Sequence, residues 1–513
     1  MKPIRLMAGF LTVGFWTLMS RILGFVREIL ILSLIGPGPL MDAFVAAFRL
    51  PNMFRRFFAE GAFNASFVPM FSKRVEGDED AANFASDALA WLSFLTLSLT
   101  ALAMIFMPAL VWATAGGFSG DDRFDITVGY GRVTFPYIFF MSLAALFSGI
   151  LNATGRFAVA AAAPVLLNVM VIAAMLAARA ADAPVVEWLI WTIPFAGVAQ
   201  LALTWSAAAR AGYALKLRIP RPNPAMRQLL VTAIPAALAT GVMQINLVVG
   251  QLVASRFEGA VSWLFAADRL YQLPLGVIGI AVGIVLLPDL SRRLKAEDAE
   301  GSRKALSRAA EFSMAFTLPA AMALVVIPLP MVSVLYERGA TGADDVRAIA
   351  IATAIYGLGL PAFVLQKVQQ PLYFARSDTR SPFRFALVAM VVNAVAAFGL
   401  VPLVGWAAPA IAATLAGWVM VALLGTGTRR MGTVAQLDAR FWQRLWRIVV
   451  ASALMGLCLW GTMHGLGDLL STPTIRYAAL LALILVGILS YFLAAQLVGA
   501  LRLRELRSVL RRG

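Results

Sequence analysis

Cysteine and histidine are almost missing from this chain: Cys458 and His464 are the sole members of their types among 513 residues. A Cys/His metal site, or a Cys–His nucleophile pair, therefore has too few members. Both fall in a late apolar run, where they read as packing or interface positions. Charge is scarce too, at 14% Asp, Glu, Lys and Arg, whereas soluble domains carry about a quarter. No Walker-type phosphate loop or other nucleotide signature occurs, so no cofactor is expected and ATP-driven work would need another subunit. Gly-rich pieces such as "LGVIGIAVGIVLLP" (275–288) suit helix packing and bending better than phosphate cradling.

What is present is apolar length. Hydrophobic residues make up 61% of the chain and the mean hydropathy is +0.82. The runs are continuous instead of alternating, which excludes membrane strands and gives an all-α, polytopic membrane protein. Spans are expected at 7–35, 40–72, 84–113, 126–151, 157–178, 184–209, 226–255, 262–288, 306–336, 346–374, 383–403, 406–427, 445–466 and 475–500, fourteen transmembrane helices. The first follows Lys2 and Arg5 as a signal peptide would, but it is too long and holds Arg21 and Arg27, so it is read as a retained helix.

The net charge of +16 is mostly a topology signal. Alternate connections and their flanks hold 29 basic residues, the opposite set 7. The positive-inside rule places both termini in the cytoplasm. The basic stretches 210–227 and 292–308 suit contact with anionic membrane lipids, and nothing beyond charge points to nucleic acid.

Seven basic residues remain inside the spans: Arg21, Arg27, Arg49, Arg55, Arg56, Arg269 and Lys367. A charge near the bilayer centre costs roughly 2.5–3.5 kcal/mol on insertion scales, so such groups face a bundle interior or a hydrated cavity. Arg21 is about 20 Å from either end of its span at a 1.5 Å rise, beyond easy snorkelling reach. Arg21 and Glu28, seven apart, share a face, with Arg27 one residue's rotation away. Asp42, Arg49 and Arg56 repeat every seven residues, with Arg55 beside the stripe and Glu60 one turn beyond Arg56. Pro51 and Gly61 interrupt that helix, as is tolerated where backbone lines water or protein. The expectation is a hydrated, cationic chamber.

The chain also repeats itself. "FVPMFSKRV" (67–75) resembles "LLPDLSRRL" (286–294), and "FVAAFRLPN" (44–52) resembles "LFAADRLYQLP" (264–274), setting Arg49 opposite Arg269 at an offset of 220. Pro136 and Asn168 correspond to Pro361 and Asn393 at an offset of 225. Six helices per half keep one orientation, so the repeats are parallel. The expected division is a first lobe at 1–220 (helices 1–6), a second at 221–435 (helices 7–12), and helices 13 and 14 at 436–513, whose "LLALILVGILSYFLAAQLVGAL" could offer a lipid tail an apolar groove.

"SRILGFVRE" (20–28), "MDAFVAAFRLPNMFRRFFAEGAFNASFVP" (41–69), "VSWLFAADRL" (261–270) and the 6+6+2 helix plan resemble the MurJ/MviN family of lipid II flippases, within the multidrug/oligosaccharidyl-lipid/polysaccharide exporter superfamily. The resemblance implies a non-enzymatic transporter of the bacterial inner membrane. It would move the undecaprenyl-pyrophosphate-linked peptidoglycan precursor from the cytoplasmic to the periplasmic leaflet by alternating access, beside the peptidoglycan-synthesis machinery. The family's functional arginines match Arg21, Arg27, Arg55 and Arg269, and its acidic positions match Asp42 and Glu60. Glu28 stands where an Asp is common, and Gln272 where an acid is expected. Arg49 and Arg56 complete the supporting polar set. The other readings are a cation-coupled drug or polysaccharide-lipid exporter of the same superfamily and a non-transporting scaffold for envelope synthesis. The first calls for an acidic or aromatic pocket, and the second has no need of intramembrane arginines.

The charge asymmetry generates a topology test. In a Cys458→Ala background, single cysteines within 210–227 should be shielded from a membrane-impermeant thiol reagent in intact cells, and cysteines at 116–122 should label. The reverse pattern would invert the orientation.

Overall fold

The computed structural model describes residues 3–55, 62–77, 80–432 and 435–500, and among them every regular element is helical. The chain divides into two compact units, Met1–Ser262 and Trp263–Gly513. The boundary lies some forty residues after the one expected between the lobes at 1–220 and 221–435.

The first unit contains α1 (Pro3–Leu34), α2 (Pro39–Arg55), α3 (Ala62–Glu76), α4 (Ala81–Ile105), α5 (Met107–Ala115), α6 (Arg123–Thr134), α7 (Tyr137–Ala153), α8 (Phe157–Ala180), α9 (Val185–Arg210) and α10 (Pro224–Ala254). The next helix, α11 (Ala260–Lys295), begins at its end. The second unit continues with α12 (Ala299–Val326), α13 (Pro328–Tyr336), α14 (Ala343–Phe374), α15 (Arg380–Gly399), α16 (Val401–Val404), α17 (Ala408–Thr428), α18 (Ala439–Leu466) and α19 (Arg476–Leu497). Among the described residues, ten helical stretches are long and apolar enough to cross a membrane. The other expected spans, 7–35, 40–72, 226–255 and 262–288, coincide with α1, with α2 and α3, with α10 and with α11. Fourteen crossings therefore stay an expectation for those four.

Expected single spans are broken at prolines. The span 84–113 divides into α4 and α5 at Phe106, whose φ of −93° and ψ of 19° leave the helix two residues before Pro108. The span 306–336 divides at Ile327, immediately before Pro328. The span 126–151 divides before Tyr137, after Pro136. A proline lacks the N–H that would continue the ladder but starts a new helix well. Pro108 and Pro328 are 220 residues apart, so this break obeys the duplication.

Helix starts on the basic side are capped by their own side chains. Asp80 accepts from the amide of Asn83, Asn223 from Met226, Asp298 from Gly301 and Asp438 from Phe441, at 2.7–3.1 Å. Each satisfies an amide that the helix leaves without a partner. In the first unit the core joins α3, α4 and α7: Phe67 stacks on Phe63, Phe71 and Phe84 with centroids 5.2–5.7 Å apart. The second unit packs α12, α14 and α17 around Leu324, Leu360, Val364 and Leu424, while α18 and α19 join α12 through Ile448, Met455, Leu459 and Leu483. Cys458 and His464 are both exposed on α18, and His464 Nδ1 lies 2.8 Å from the Trp460 carbonyl oxygen, so neither is a core-packing residue.

Small residues set the helix spacing, as expected where lipid supplies no hydrophobic drive between helices. A Cβ added to Gly417 on α17 would lie 2.7 Å from Phe363 on α14, and one on Gly359 of α14 would lie 2.9 Å from Thr414 Oγ1 on α17. Gly417→Val should cost about 1–3 kcal/mol through overpacking. The check is a lowered thermal midpoint of the purified protein, with Gly417→Ala losing less.

Candidate functional site

Within the first unit, α1 packs on α8, and that contact carries the first charged group of interest. Arg27 donates through Nη2 to Glu28 Oε1 at 2.7 Å and through Nη1 to Asn168 Oδ1 at 2.9 Å. Asn168 returns its amide to the Ser20 carbonyl at 3.0 Å, tying α8 to the middle of α1. Glu28 is 4% exposed. A buried ion pair recovers its desolvation cost only where further hydrogen bonds complete it, and Asn168 supplies one. The guanidinium is thus fixed in one orientation, with charge balanced by its sequence neighbour. Arg21, nearly two turns away on α1, is exposed.

Asp42 sits elsewhere than the stripe with Arg49 suggested. It is fully buried, and its carboxylate accepts from the Gly259 amide at 2.8 Å, the Ser262 amide at 2.9 Å and Ser262 Oγ at 2.6 Å. These donors form the first turn of α11, so Asp42 of α2 caps a helix more than 200 residues later in the chain. A carboxylate there also meets the positive end of the helix dipole. Arg123 Nη1 approaches Asp42 Oδ2 at 3.4 Å, lies 3.4 Å from the Phe257 carbonyl, and stacks its guanidinium 4.5 Å from the Phe118 ring centroid. Asp121, before α6, takes the rest of Arg123's fork at 2.6–3.1 Å, and this hydrogen bonding holds its carboxyl below the usual carboxylate range. Beside this cluster Gly117 donates to Ser255 Oγ at 3.0 Å, and a Cβ there would lie 2.5 Å from the Arg256 nitrogen, so only glycine permits the approach.

Arg49 and Arg55 are half-buried on α2. Arg49 lines a small cavity with Leu50, Met53, Thr114, Val248 and Gln251. Arg55 Nε lies 3.4 Å from Asn52 Oδ1, and Asn52 donates to the Phe48 carbonyl at 3.1 Å, supporting the helix where Pro51 interrupts its ladder. Arg56 and Glu60 lie outside the described residues. In the second unit Arg269 is half-buried with its guanidinium 4.6 Å from the Phe265 centroid. Gln272 donates to Asp268 one turn back. Tyr271 packs between Tyr356 and Phe363 at 5.0 and 5.6 Å. Lys367 is exposed.

Three polar residues here escaped the reading of the sequence. Arg123 was counted only as a loop charge, Asn168 only as a repeat marker, and Asp268 not at all. Asp268 had a signal, since it directly precedes Arg269 in the matched segment and stands one turn before Gln272. Asn168 had one as well, as the polar residue inside an apolar run that recurs as Asn393, and both are buried. Nothing local marks Arg123 as a partner of Asp42.

The family described as lipid II flippase MurJ matches residues 31–497. A probable lipid II flippase MurJ of Rhizobium tropici is 43% identical over 520 aligned positions, covering 99% of this chain and 97% of its own. A solved structure, lipid II flippase MurJ in an inward closed conformation, superposes with a TM-score of 0.80 at 23% identity, covering 94% of this chain and 98% of its own. An inward-facing multidrug resistance MATE family transporter of the MOP superfamily matches with a TM-score of 0.68 at 15% identity, covering 84% and 99%. At these identities the two solved structures speak to the shared fold.

The cap on α11 can be tested on stability alone. Asp42→Ala should cost about 1–2 kcal/mol for the lost cap, seen as a lowered thermal midpoint. Asp42→Asn, which keeps an acceptor for the amides, should lose less; equal losses would make the charge the important feature and not the cap.

Proposed function

This chain belongs to the lipid II flippase MurJ family, and from that membership we propose that it carries lipid II, the undecaprenyl-pyrophosphate-linked peptidoglycan precursor, from the cytoplasmic to the periplasmic leaflet of the bacterial inner membrane. It is a multi-pass membrane protein. Both termini are assigned to the cytoplasm by the basic-loop asymmetry, and the work is transport, not chemistry on the substrate. The observation that carries the reading is Arg27, a guanidinium held at 2.7–2.9 Å from Glu28 and Asn168 on a helix otherwise suited to hydrocarbon.

Lipid II presents a pyrophosphate and peptide carboxylates. Guanidinium groups meet such oxygens with charge-assisted and often bidentate hydrogen bonds, replacing the hydration that the headgroup loses on entering the membrane. Arg21, Arg27 and Arg55 of the first unit and Arg269 of the second are assigned to this task, with Glu28, Asp42, Arg49, Arg56, Glu60 and Gln272 in support. The Arg27–Glu28 pair suits repeated binding and release, because Glu28 neutralises the guanidinium whenever the phosphate has left. Alternating access would expose this cationic path to one leaflet and then to the other. The polyprenyl tail stays in lipid, and α18 and α19 expose leucine and isoleucine rows suited to it. A drug exporter of the same fold handling cationic compounds is a poorer fit to these arginines, and the likeness to the MATE transporter speaks to the fold alone.

Arg21→Ala should reduce lipid II translocation about ten- to hundred-fold, the factor for losing a charged hydrogen bond of about 1.5–3 kcal/mol. Arg21→Lys should recover part of it, keeping the charge but losing the planar fork. The measurement is lipid II accessibility at the outer leaflet of cells depending on the variant, at matched membrane abundance. Full activity of the alanine variant would remove Arg21 from the path.

A further inference from the structure

Two half-buried arginines of the second unit meet where α13 ends and α19 begins. Arg338, just past α13, donates through Nη2 to the Val334 and Leu335 carbonyls at 3.1 and 2.7 Å. Arg476, the first residue of α19, donates through Nη1 to the Glu337 carbonyl at 3.1 Å and lies with Nη2 3.4 Å from the Tyr477 hydroxyl. Their guanidinium carbons are 5.7 and 5.3 Å from the centroid of the same ring, that of Tyr477. Among the described residues no carboxylate comes within 4 Å of either fork, and each Nε is buried without an acceptor. The carboxylate of Glu337 accepts from Ser333 Oγ instead.

Capping accounts for one of the two. The carbonyl end of α13 is the negative end of its dipole and suits one cation, and Arg338 serves it with a single nitrogen. A second guanidinium brought to the same tyrosine adds repulsion, which carbonyls answer with partial charge only. With Glu337 counted, the cluster keeps one net positive charge. Both arginines also belong to the sparsely charged side of the chain, 7 basic residues against 29, so they stand against its general trend. The surroundings point to the anion they meet. Tyr477, 48% exposed in the first turn of α19, marks the headgroup level. Beneath it Leu481, Ile484, Leu485 and Ile488 are exposed at helical spacing and form one apolar row along α19. One positive charge at headgroup depth above an apolar row fits a phosphodiester carrying acyl chains.

We propose that Arg338 and Arg476 bind the phosphate of an anionic phospholipid in the leaflet at the N-terminal end of α19, with an acyl chain on the row below Tyr477. Guanidinium groups meet phosphate oxygens with charge-assisted hydrogen bonds, and basic pockets between membrane helices recognise acidic headgroups in this way. The carbonyls of Val334, Leu335 and Glu337 hold the two forks in place, and Tyr477 keeps them together. The bound phosphate would thereby fasten the start of α19 to the end of α13. Neither arginine is assigned to transport, and the test needs no transport, so its failure would leave the transport reading intact.

The full-length protein, purified in mild detergent, is titrated with phosphatidylglycerol and, in parallel, with phosphatidylethanolamine, whose phosphate charge is cancelled by its amine. Bound lipid is counted by native mass spectrometry, and the rise in thermal midpoint on adding lipid is read for each variant against its own lipid-free baseline. A lost cap lowers that baseline without imitating lost binding. In Arg476→Gln one phosphatidylglycerol should bind about five-fold more weakly, the factor for one basic residue at an anionic lipid surface, and in the double variant with Arg338→Gln about 25-fold. Arg476→Lys should keep most of the binding, and phosphatidylethanolamine should respond to none of these changes. Unchanged phosphatidylglycerol counts and midpoint rise in Arg476→Gln overturn the proposal. So does an equal loss of phosphatidylethanolamine, which would remove charge from the recognition, or displacement of the lipid by inorganic phosphate at equal concentration, which would assign the cluster to a free anion.

Discussion

Hydrocarbon solvates neither charge nor backbone, so an ion buried in a membrane helix bundle must be answered by protein. The rest of the arrangement follows from that constraint. Arg27 is answered by the residue beside it and by an amide from α8; Asp42 by the opening amides of α11; Glu311 by arginines of α12 and α18. In each case a charge joins two helices that lie far apart in the chain. Buried charge therefore ties helices together within each unit.

Proline and glycine divide the remaining labour. Where a span must break, as at Phe106 and Ile327, a proline starts the next helix and the freed carbonyls fall at the break. Where helices must close up, as around Phe363, glycine removes the Cβ that would hold them apart. Each unit repeats the same internal plan: α7 and α8 both pack on α9 in the first, and α14 and α15 both pack on α17 in the second. Of the repeated positions, Asn168 on α8 and Asn393 on α15 are both buried, whereas Pro136 precedes α7 and Pro361 lies inside α14.

The fold was largely legible because its cause is local. A run of twenty apolar residues is helical wherever it meets lipid, and the described helices fall on the expected runs. The site was legible only in part. Rarity singled out seven basic residues in apolar runs, and only the family resemblance narrowed them to Arg21, Arg27, Arg55 and Arg269. Helical period grouped Asp42 with Arg49 by their seven-residue spacing, yet Asp42 is buried under the first turn of α11. Spacing says which residues share a helix face; it does not say which neighbour that face meets.

By itself, then, the sequence determined the class of protein, the helical runs and the identity of the charges that stand in apolar surroundings. Each depends on composition within a window of about twenty residues. Only the tertiary structure decided the partners: Asn168 for Arg27, Gly259 and Ser262 for Asp42, Arg123 for Asp121 and Asp42, and three arginines for Glu311. Those pairings bridge up to 220 positions of chain, and they arise from which helix faces are brought into hydrogen-bonding distance, a property of packing that no local pattern contains.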